Sequence, residues 1–228
     1  MLGSQRFVNG GEVSRLIAIG DIHGCSTALK TILDAIDPQA DDTIVTLGDY
    51  IDRGPDSRGV IDLLLDLQRR TQLVPLRGNH EIMMLQSFEN YLHGPMWVQS
   101  GGLETLASYD GAPDNVPVEH INFMRQSKPY FETEKFLFVH ANFDANLPLA
   151  KQPETLLYWE HIDRSMPRAH YSGKTAIVGH TPQRDGEFLD EGHLICLDTF
   201  CCGGGWLTAL ELNSRDSWQA NQLGELRA

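Results

Sequence analysis

The sequence predicts an α/β fold, and three observations carry that expectation. Five short apolar runs are rich in β-branched residues and continuous rather than alternating, as strands buried on both faces are. Segments with helical periodicity separate the first three, at about the ~30-residue spacing of a strand–helix–strand unit. Each run then breaks off abruptly into polar residues, most of them flanked by glycine.

The elements follow in order. Leu16-Ile17-Ala18-Ile19 is the first strand, and Leu29, Ile32, Leu33 and Ile36 share one face of the next helix, with Ser26 as its capping residue. Ile44-Val45-Thr46-Leu47 is the second strand, followed from Ser57 by a helix with Val60, Ile61, Leu64, Leu65 and Leu67. Leu73-Val74-Pro75-Leu76 is the third; Pro75 restricts it to an edge or a bulge. Met84, Phe88, Tyr91 and Leu92 form the apolar face of the helix behind it. From Gly94 to Pro129 the pattern is helical and loopy, with Leu103, Leu106, Ala107, Ile121, Phe123 and Met124. Phe136-Leu137-Phe138-Val139 and Thr175-Ala176-Ile177-Val178 are the remaining two runs. Between them Asn142 to Gly173, with Pro148, Pro153 and Pro167, reads as a long rim loop with one helical turn. Leu194 to Leu197 and Leu207 to Leu212 read as antiparallel strands, and a turn at Asn213–Asp216 leads to a last short strand near Trp218.

At 228 residues the chain suffices for one well-buried domain. Its 41% hydrophobic content is ordinary, and no stretch has the apolar length of a membrane span. The start lacks the build of a secretory signal, so a cytoplasmic location is expected. The formal net charge is −13 and is spread along the chain. Such a surface repels nucleic acid and anionic membrane, so neither is an expected partner. The four cysteines (Cys25, Cys196, Cys201, Cys202) form no Cys-x-x-Cys pair, which argues against a zinc ribbon and for reduced thiols.

The chemistry sits where the runs end. The first is followed by Gly20-Asp21-Ile22-His23-Gly24 and the second by Gly48-Asp49-Tyr50-Ile51-Asp52-Arg53-Gly54. The others are followed by Arg77-Gly78-Asn79-His80-Glu81, His140-Ala141-Asn142 and Gly179-His180-Thr181-Pro182. Open α/β sheets bind ligands in the crevice outside the carboxyl ends of their strands. Five such ends carrying Asp, His and Asn are costly to bury unless something positive holds them, and a pair of divalent metals is the simplest answer. Carboxylate and imidazole together suit zinc, iron and manganese rather than calcium alone. Asp49 is the natural bridging ligand, since two metals ~3.5–4 Å apart activate a bridging water and clamp phosphoryl oxygens.

These motifs, G-D-I-H-G, G-D-Y-I-D-R-G and R-G-N-H-E with the H-A and G-H-T-P histidines, resemble the phosphoprotein phosphatase branch of the calcineurin-like metallophosphoesterases. The resemblance runs from about Leu16 to about Leu212. It implies the four-layer metallophosphoesterase fold, a β-sandwich core flanked by helices, in a single domain over 1–228 with its core at about 15–212. It also implies two divalent ions, manganese in vitro with iron or zinc as alternatives. Asp21 and His23 would hold one ion, Asp49 both, and Asn79, His140 and His180 the other. His80 would be the general acid and Asp52 the carboxylate that orients it. Arg53 and Arg77 would grip phosphate, for which the planar guanidinium fork is suited. The implied reaction is direct in-line attack by a metal-bridging hydroxide, without a phosphoenzyme.

One departure stands out. Phage and bacterial members carry a further phosphate-binding arginine after a tryptophan in the long loop; here that place reads Trp159-Glu160-His161. His161 is the candidate substitute, with Arg164 and Arg168 farther on. The remaining polar residues have ordinary readings: Glu81 supports a helix start, and His93, His120, His170 and His193 belong to no constellation. Trp97, Trp159 and Trp206 read as packing, and Cys201-Cys202 as packing and a tight turn rather than a redox switch. The expected activity is therefore that of a phosphomonoesterase, a Ser/Thr or Tyr protein phosphatase, with a phosphorylated protein or small phosphate ester as substrate. Symmetrical dinucleoside tetraphosphate hydrolysis is the nearest rival, although enzymes of that type are longer. A non-catalytic metal-binding scaffold would have lost ligands, and none is lost. Nuclease action is disfavoured by the acidic charge and by D-R-G.

Overall fold

All five apolar runs become strands, but they are divided between two sheets. In the computed structural model, which describes residues 14–163 and 168–228, β1 (Leu16–Ile19), β2 (Thr43–Thr46) and β3 (Gln72–Pro75) pair in parallel, with Ile17 opposite Ile44 and Val45 opposite Val74. The second sheet contains β4 (Tyr130–Glu132), β5 (Phe136–Val139), β6 (Thr175–Val178), β7 (Leu189–Asp190) and β8 (Leu194–Cys196) in the order β4-β5-β6-β8-β7. β9 (Leu207–Glu211) and β10 (Ser217–Ala220) return to the first sheet, giving β10-β9-β1-β2-β3. β9 is antiparallel to β1 and β10, as expected, but β8 runs parallel to β6 and is antiparallel only to the two-residue β7. Pro75 ends the edge strand β3, where a missing N–H breaks no ladder.

Three apolar layers follow from this arrangement. Between the sheets, Ala18, Val45, Leu47, Val74 and Leu210 of the first meet Phe138, Ile177 and Ile195 of the second. On the outer face of the first sheet lie α1 (Ser26–Ile36), α2 (Ser57–Arg70), α3 (Asn79–Glu89) and α6 (Val118–Gln126). The short α4 (Gly94–Trp97) and α5 (Leu103–Ser108) stand between α3 and α6, joined by a π-helical turn at Val98–Gly102. The outer face of the second sheet is covered by the rim segment, including α7 (Glu154–Tyr158) and a 3₁₀ turn at Leu149–Lys151, two helical turns where one was expected. The order helix, sheet, sheet, helical cover is the four-layer arrangement the sequence implied.

Periodicity located the buried faces of α1 and α2: Leu29, Ile32, Leu33, Ile36, Val60, Ile61, Leu64 and Leu67 are all buried. The caps differ. Cys25 precedes α1 without a side-chain cap, and Ser26 instead donates to Asp56 Oδ2 at 2.6 Å. Asp56 caps α2 by accepting from the Gly59 N–H. Behind α3 the helical face ends early, because Asn90 leaves helical geometry and sends Tyr91 and Leu92 into solvent. Leu103 is exposed as well. No helix among the described residues is long and apolar enough to cross a membrane.

Candidate metal centre and phosphate cavity

The carboxyl ends of the strands from both sheets meet at one place. Asp21 and His23 follow β1, Asp49 follows β2, Asn79 and His80 open α3 after β3, His140 follows β5 and His180 follows β6. Backbone bonds stitch these turns together: the N–H groups of Ile22 and His23 donate to Asp49 O, and the Gly24 N–H donates to Tyr50 O. Glu81 ties the second and third motifs. Its buried carboxylate accepts the N–H groups of Asp49 (2.9 Å), Tyr50 (2.8 Å) and Gly78 (2.8 Å). Burial, then the nearby charge of Asp49, raises Glu81 to about 7.

Asp49 stands between two groups of imidazoles. Oδ2 lies 3.4 Å from His23 Nε2 and 3.9 Å from His80 Nε2. Oδ1 lies 3.5 Å from His140 Nε2 and accepts the His80 N–H at 3.1 Å. The ligand atoms of His23, Asp49 and His80, and separately those of Asp49, His140 and His180, lie within 4.8 Å of one another. Asn79 Oδ1 joins the second group, 3.0 Å from His140 Nε2. His80 thus sits nearer the first group than its reading as a proton donor required, and Asp21 sits slightly apart from it. Asp21 Oδ2 accepts the His180 N–H at 2.9 Å.

The donor set fits metal ions. His23 Nδ1 and His140 Nδ1 are bound to the carbonyls of Ile51 and Leu47 (2.9 and 2.7 Å), which fixes the rings and turns Nε2 towards Asp49. Burial lowers His23 and His180 to about 3 and lowers His140, so all three are neutral near pH 7, as ligands must be. Asp49 is held below the ordinary carboxylate range: burial opposes ionisation, but His140 and the other imidazoles outweigh it. Burial, then the charges of Asp198 and Asp49, pushes Asp21 well above that range, and its buried Oδ1 has no hydrogen-bond partner among the described residues. A cation would remove both penalties.

His80 and Asp52 form a buried pair, Nδ1 to Oδ2 at 2.7 Å. Burial raises Asp52; for His80 burial acts downward, but Asp49 and then Asp52 outweigh it and raise it. Asp52 also accepts from Trp97 Nε1 and Thr105 Oγ1, so Trp97, read from the sequence as packing, is a hydrogen-bond donor.

A cavity of about 460 Å³ opens over Asp49, lined by Arg53, His161, His180, Arg184, Phe200 and Cys202 among others. Arg53 Nη1 lies 2.9 Å from His23 Nε2. His161 is exposed and edges onto His180, ring centres 4.8 Å apart. Arg77 does not line this cavity; its guanidinium donates to the carbonyls of Arg125 and Ser127 at the end of α6. Arg164 lies outside the described residues, and Arg168 lines a neighbouring cavity with Asn142 and Glu160. Two site residues were missed. Arg184 stands over the Phe200 ring at 5.1 Å, four residues beyond His180. Asp198 is buried, accepts the Phe200 N–H at 3.1 Å and is raised to about 6 by burial. It follows Leu194–Leu197 just as Asp21 follows β1, and that repetition of pattern was the available signal. All four cysteines are free.

A two-sheet α/β core with buried His and Asp groups converging beneath an open cavity defines a metal-dependent phosphoesterase, a hydrolase. The calcineurin-like phosphoesterase family model matches residues 14–203, and the chain belongs to that family. It is 30% identical over 202 residues to serine/threonine-protein phosphatase 1 of Salmonella typhimurium, covering 83% of this chain and 88% of that protein. It is 28% identical over 228 residues to the asymmetrical bis(5'-nucleosyl)-tetraphosphatase PrpE of Oceanobacillus iheyensis, covering 87% and 88%. A crystal structure of a cold-active protein-tyrosine phosphatase from a psychrophilic Shewanella shares the fold, with TM-score 0.66, 17% identity and coverage of 95% and 80%.

Proposed function

We propose that the chain is a phosphomonoesterase acting on phosphorylated proteins, with serine and threonine esters as principal substrates. The observation that carries the reading is Asp49 shared between two groups of imidazoles at the floor of a cavity with arginines in its wall. Asp21, His23 and Asp49 would hold one divalent ion, and Asp49, Asn79, His140 and His180 a second; manganese is the metal for a first assay. When bound, the ions supply an activated water and positive charge for the phosphoryl oxygens. Arg53 and Arg184 orient the phosphate from the cavity wall, with His161 beside them. Arg77 would take part only by leaving the carbonyls at the end of α6. His80, its Nδ1 held by Asp52, presents Nε2 to the ester oxygen and releases a proton to it as the P–O bond breaks.

A second reading is hydrolysis of bis(5'-nucleosyl) tetraphosphates, favoured by the relatives bearing that name. Length does not disfavour it, since the PrpE relative is matched over 88% of its own sequence. The symmetrical enzyme of Wigglesworthia glossinidia is matched over only 68 residues, so the asymmetrical type is the stronger form of this alternative. Initial rates on phosphoserine, phosphothreonine and phosphotyrosine peptides beside diadenosine tetraphosphate, all in manganese, decide between them. Faster turnover of the dinucleotide at equal concentration refutes the protein-phosphatase reading.

A further inference from the structure

Between α3 and α6 the chain makes a detour through two short helices joined by a π-helical turn, a form often found beside functional sites. Two of its side chains bury polar groups against a residue far away in sequence. Trp97, 2% exposed, donates its Nε1–H to both carboxylate oxygens of Asp52 at 3.0 Å. Thr105, fully buried, donates its hydroxyl to Asp52 Oδ1 at 2.6 Å and accepts the Asp52 N–H at 2.8 Å. Ser57 completes the ring of contacts, 2.9 Å from the Thr105 hydroxyl. The same detour reaches the next residue along: the Arg53 N–H donates to Gly101 O at 3.1 Å. Gly101 has φ 112°, and a Cβ there would lie 2.7 Å from the Arg53 nitrogen.

On the other side of Asp52 is His80 Nδ1, for which Asp52 is the partner that fixes the ring. A carboxylate held by an indole and a hydroxyl cannot turn about its own axis without breaking buried bonds. The imidazole it holds is then fixed in both tautomer and plane. We infer that Trp97 and Thr105 are positioning residues for proton donation: they orient Asp52 so that His80 keeps Nε2 towards the leaving oxygen. This rests on the phosphatase reading above.

Trp97→Phe keeps a ring beside Phe88 and removes only the N–H; Thr105→Val keeps the shape and removes the hydroxyl; Thr105→Ser restores it. Phenyl phosphate needs a proton donor, whereas p-nitrophenyl phosphate leaves as a stable anion. In manganese, Trp97→Phe and Thr105→Val are expected to lower kcat on phenyl phosphate about tenfold, while p-nitrophenyl phosphate stays within about twofold. Thr105→Ser should follow the wild type. In zinc-loaded or metal-free protein with labelled histidine, the His80 Nδ1–H resonance should shift or broaden in the first two variants and persist in Thr105→Ser. Equal losses on both esters, or His80 resonances unchanged by Trp97→Phe, would overturn the inference. A wild type inactive on both esters would refute the phosphatase reading instead, and the His80 resonance would still decide whether these residues hold it.

Discussion

Replacing Gly78 by alanine tests the geometry of the metal centre with a single methyl group. Gly78 has φ −96° and ψ 174°, which any residue adopts, so backbone strain does not enter. The added Cβ would lie 2.1 Å from Asp49 Oδ1 and 2.5 Å from Asp49 N. Carbon and oxygen do not pack closer than roughly 3.2 Å, so the carboxylate or the turn after β3 must retreat by about 1 Å. Asp49 Oδ1 is fixed by the His80 N–H and faces His140, so retreat displaces the group shared by both imidazole sets. A misplacement of about 1 Å at a reacting centre costs about 10²-fold in rate, and overpacking costs about 1–3 kcal/mol of stability. Gly94→Ala is the control, since a Cβ there meets nothing within 4 Å and its φ of −55° is helical. Metal content by mass spectrometry, kcat on p-nitrophenyl phosphate in manganese, and melting temperature are measured for both. Gly78→Ala is expected to lose metal and most turnover while Gly94→Ala keeps both. If Gly78→Ala retained two ions and turnover within about threefold of wild type, Asp49 would not be the shared ligand.

Chelation should abolish activity and lower the melting temperature, and manganese at about a hundredfold excess over its Kd should return about 2.7 kcal/mol. Full activity in a chelated sample would contradict the metal reading. Arg53→Ala and Arg184→Ala should raise KM and lower kcat, by about 10–100-fold in kcat/KM, with metal content unchanged. Loss of both metals in either variant would remove that residue from the phosphate grip. His80→Asn should cut turnover of a phosphoserine peptide by about 10²-fold or more, and p-nitrophenyl phosphate far less. Asp42 tests the fold rather than the site. Burial pushes its carboxyl up, but bonds from Arg15 and the Gln39 N–H outweigh this and hold it below the ordinary range. Because the folded value is lowered, this contribution is present above the unfolded value of about 3.9 and lost as pH falls through the folded value. Asp42→Asn should therefore cost about 2 kcal/mol at neutral pH and progressively less below pH 4, as urea titrations across pH would show.

The strands and the ends that carry chemistry were legible because both signals are local. Continuous β-branched runs mark strands buried on both faces, and Gly-Asp or Gly-His at a run's end marks a turn into a site. Pairing was less legible. Leu194–Leu197 has the composition of any strand, and nothing within it says that β8 lies parallel to β6 rather than beside β9. Only that parallel pairing brings the end of β8, and with it Asp198, to the site. Trp97 packs in the core as its sequence implied, but its second role was not legible, because the acceptor for its N–H, Asp52, is 45 residues away. Arg77, whose guanidinium donates to the carbonyls of Arg125 and Ser127, shows that a motif position sets where a backbone sits but not which acceptor a long side chain chooses.

The backbone itself helps to explain how these side chains meet at one place. Among the described residues nine non-glycine residues have positive φ, and six of these, His23, Asp49, Asp52, Arg53, His180 and Phe200, stand at the site. Asp and His tolerate this region better than most side chains, Arg and Phe less well, and strained residues cost about 1–3 kcal/mol each. Such conformations persist only where the surroundings over-determine them. Here the surroundings are the sheet ladders behind each turn, the Asp49 carbonyl receiving two N–H groups, the three N–H bonds to Glu81 and the Gly101 carbonyl on Arg53. The two sheets therefore hold the turns in sharp left-handed bends. Loss of a metal ligand should then reduce metal affinity more than it disturbs the fold, whereas loss of Glu81, which holds no metal in this arrangement, should do the reverse.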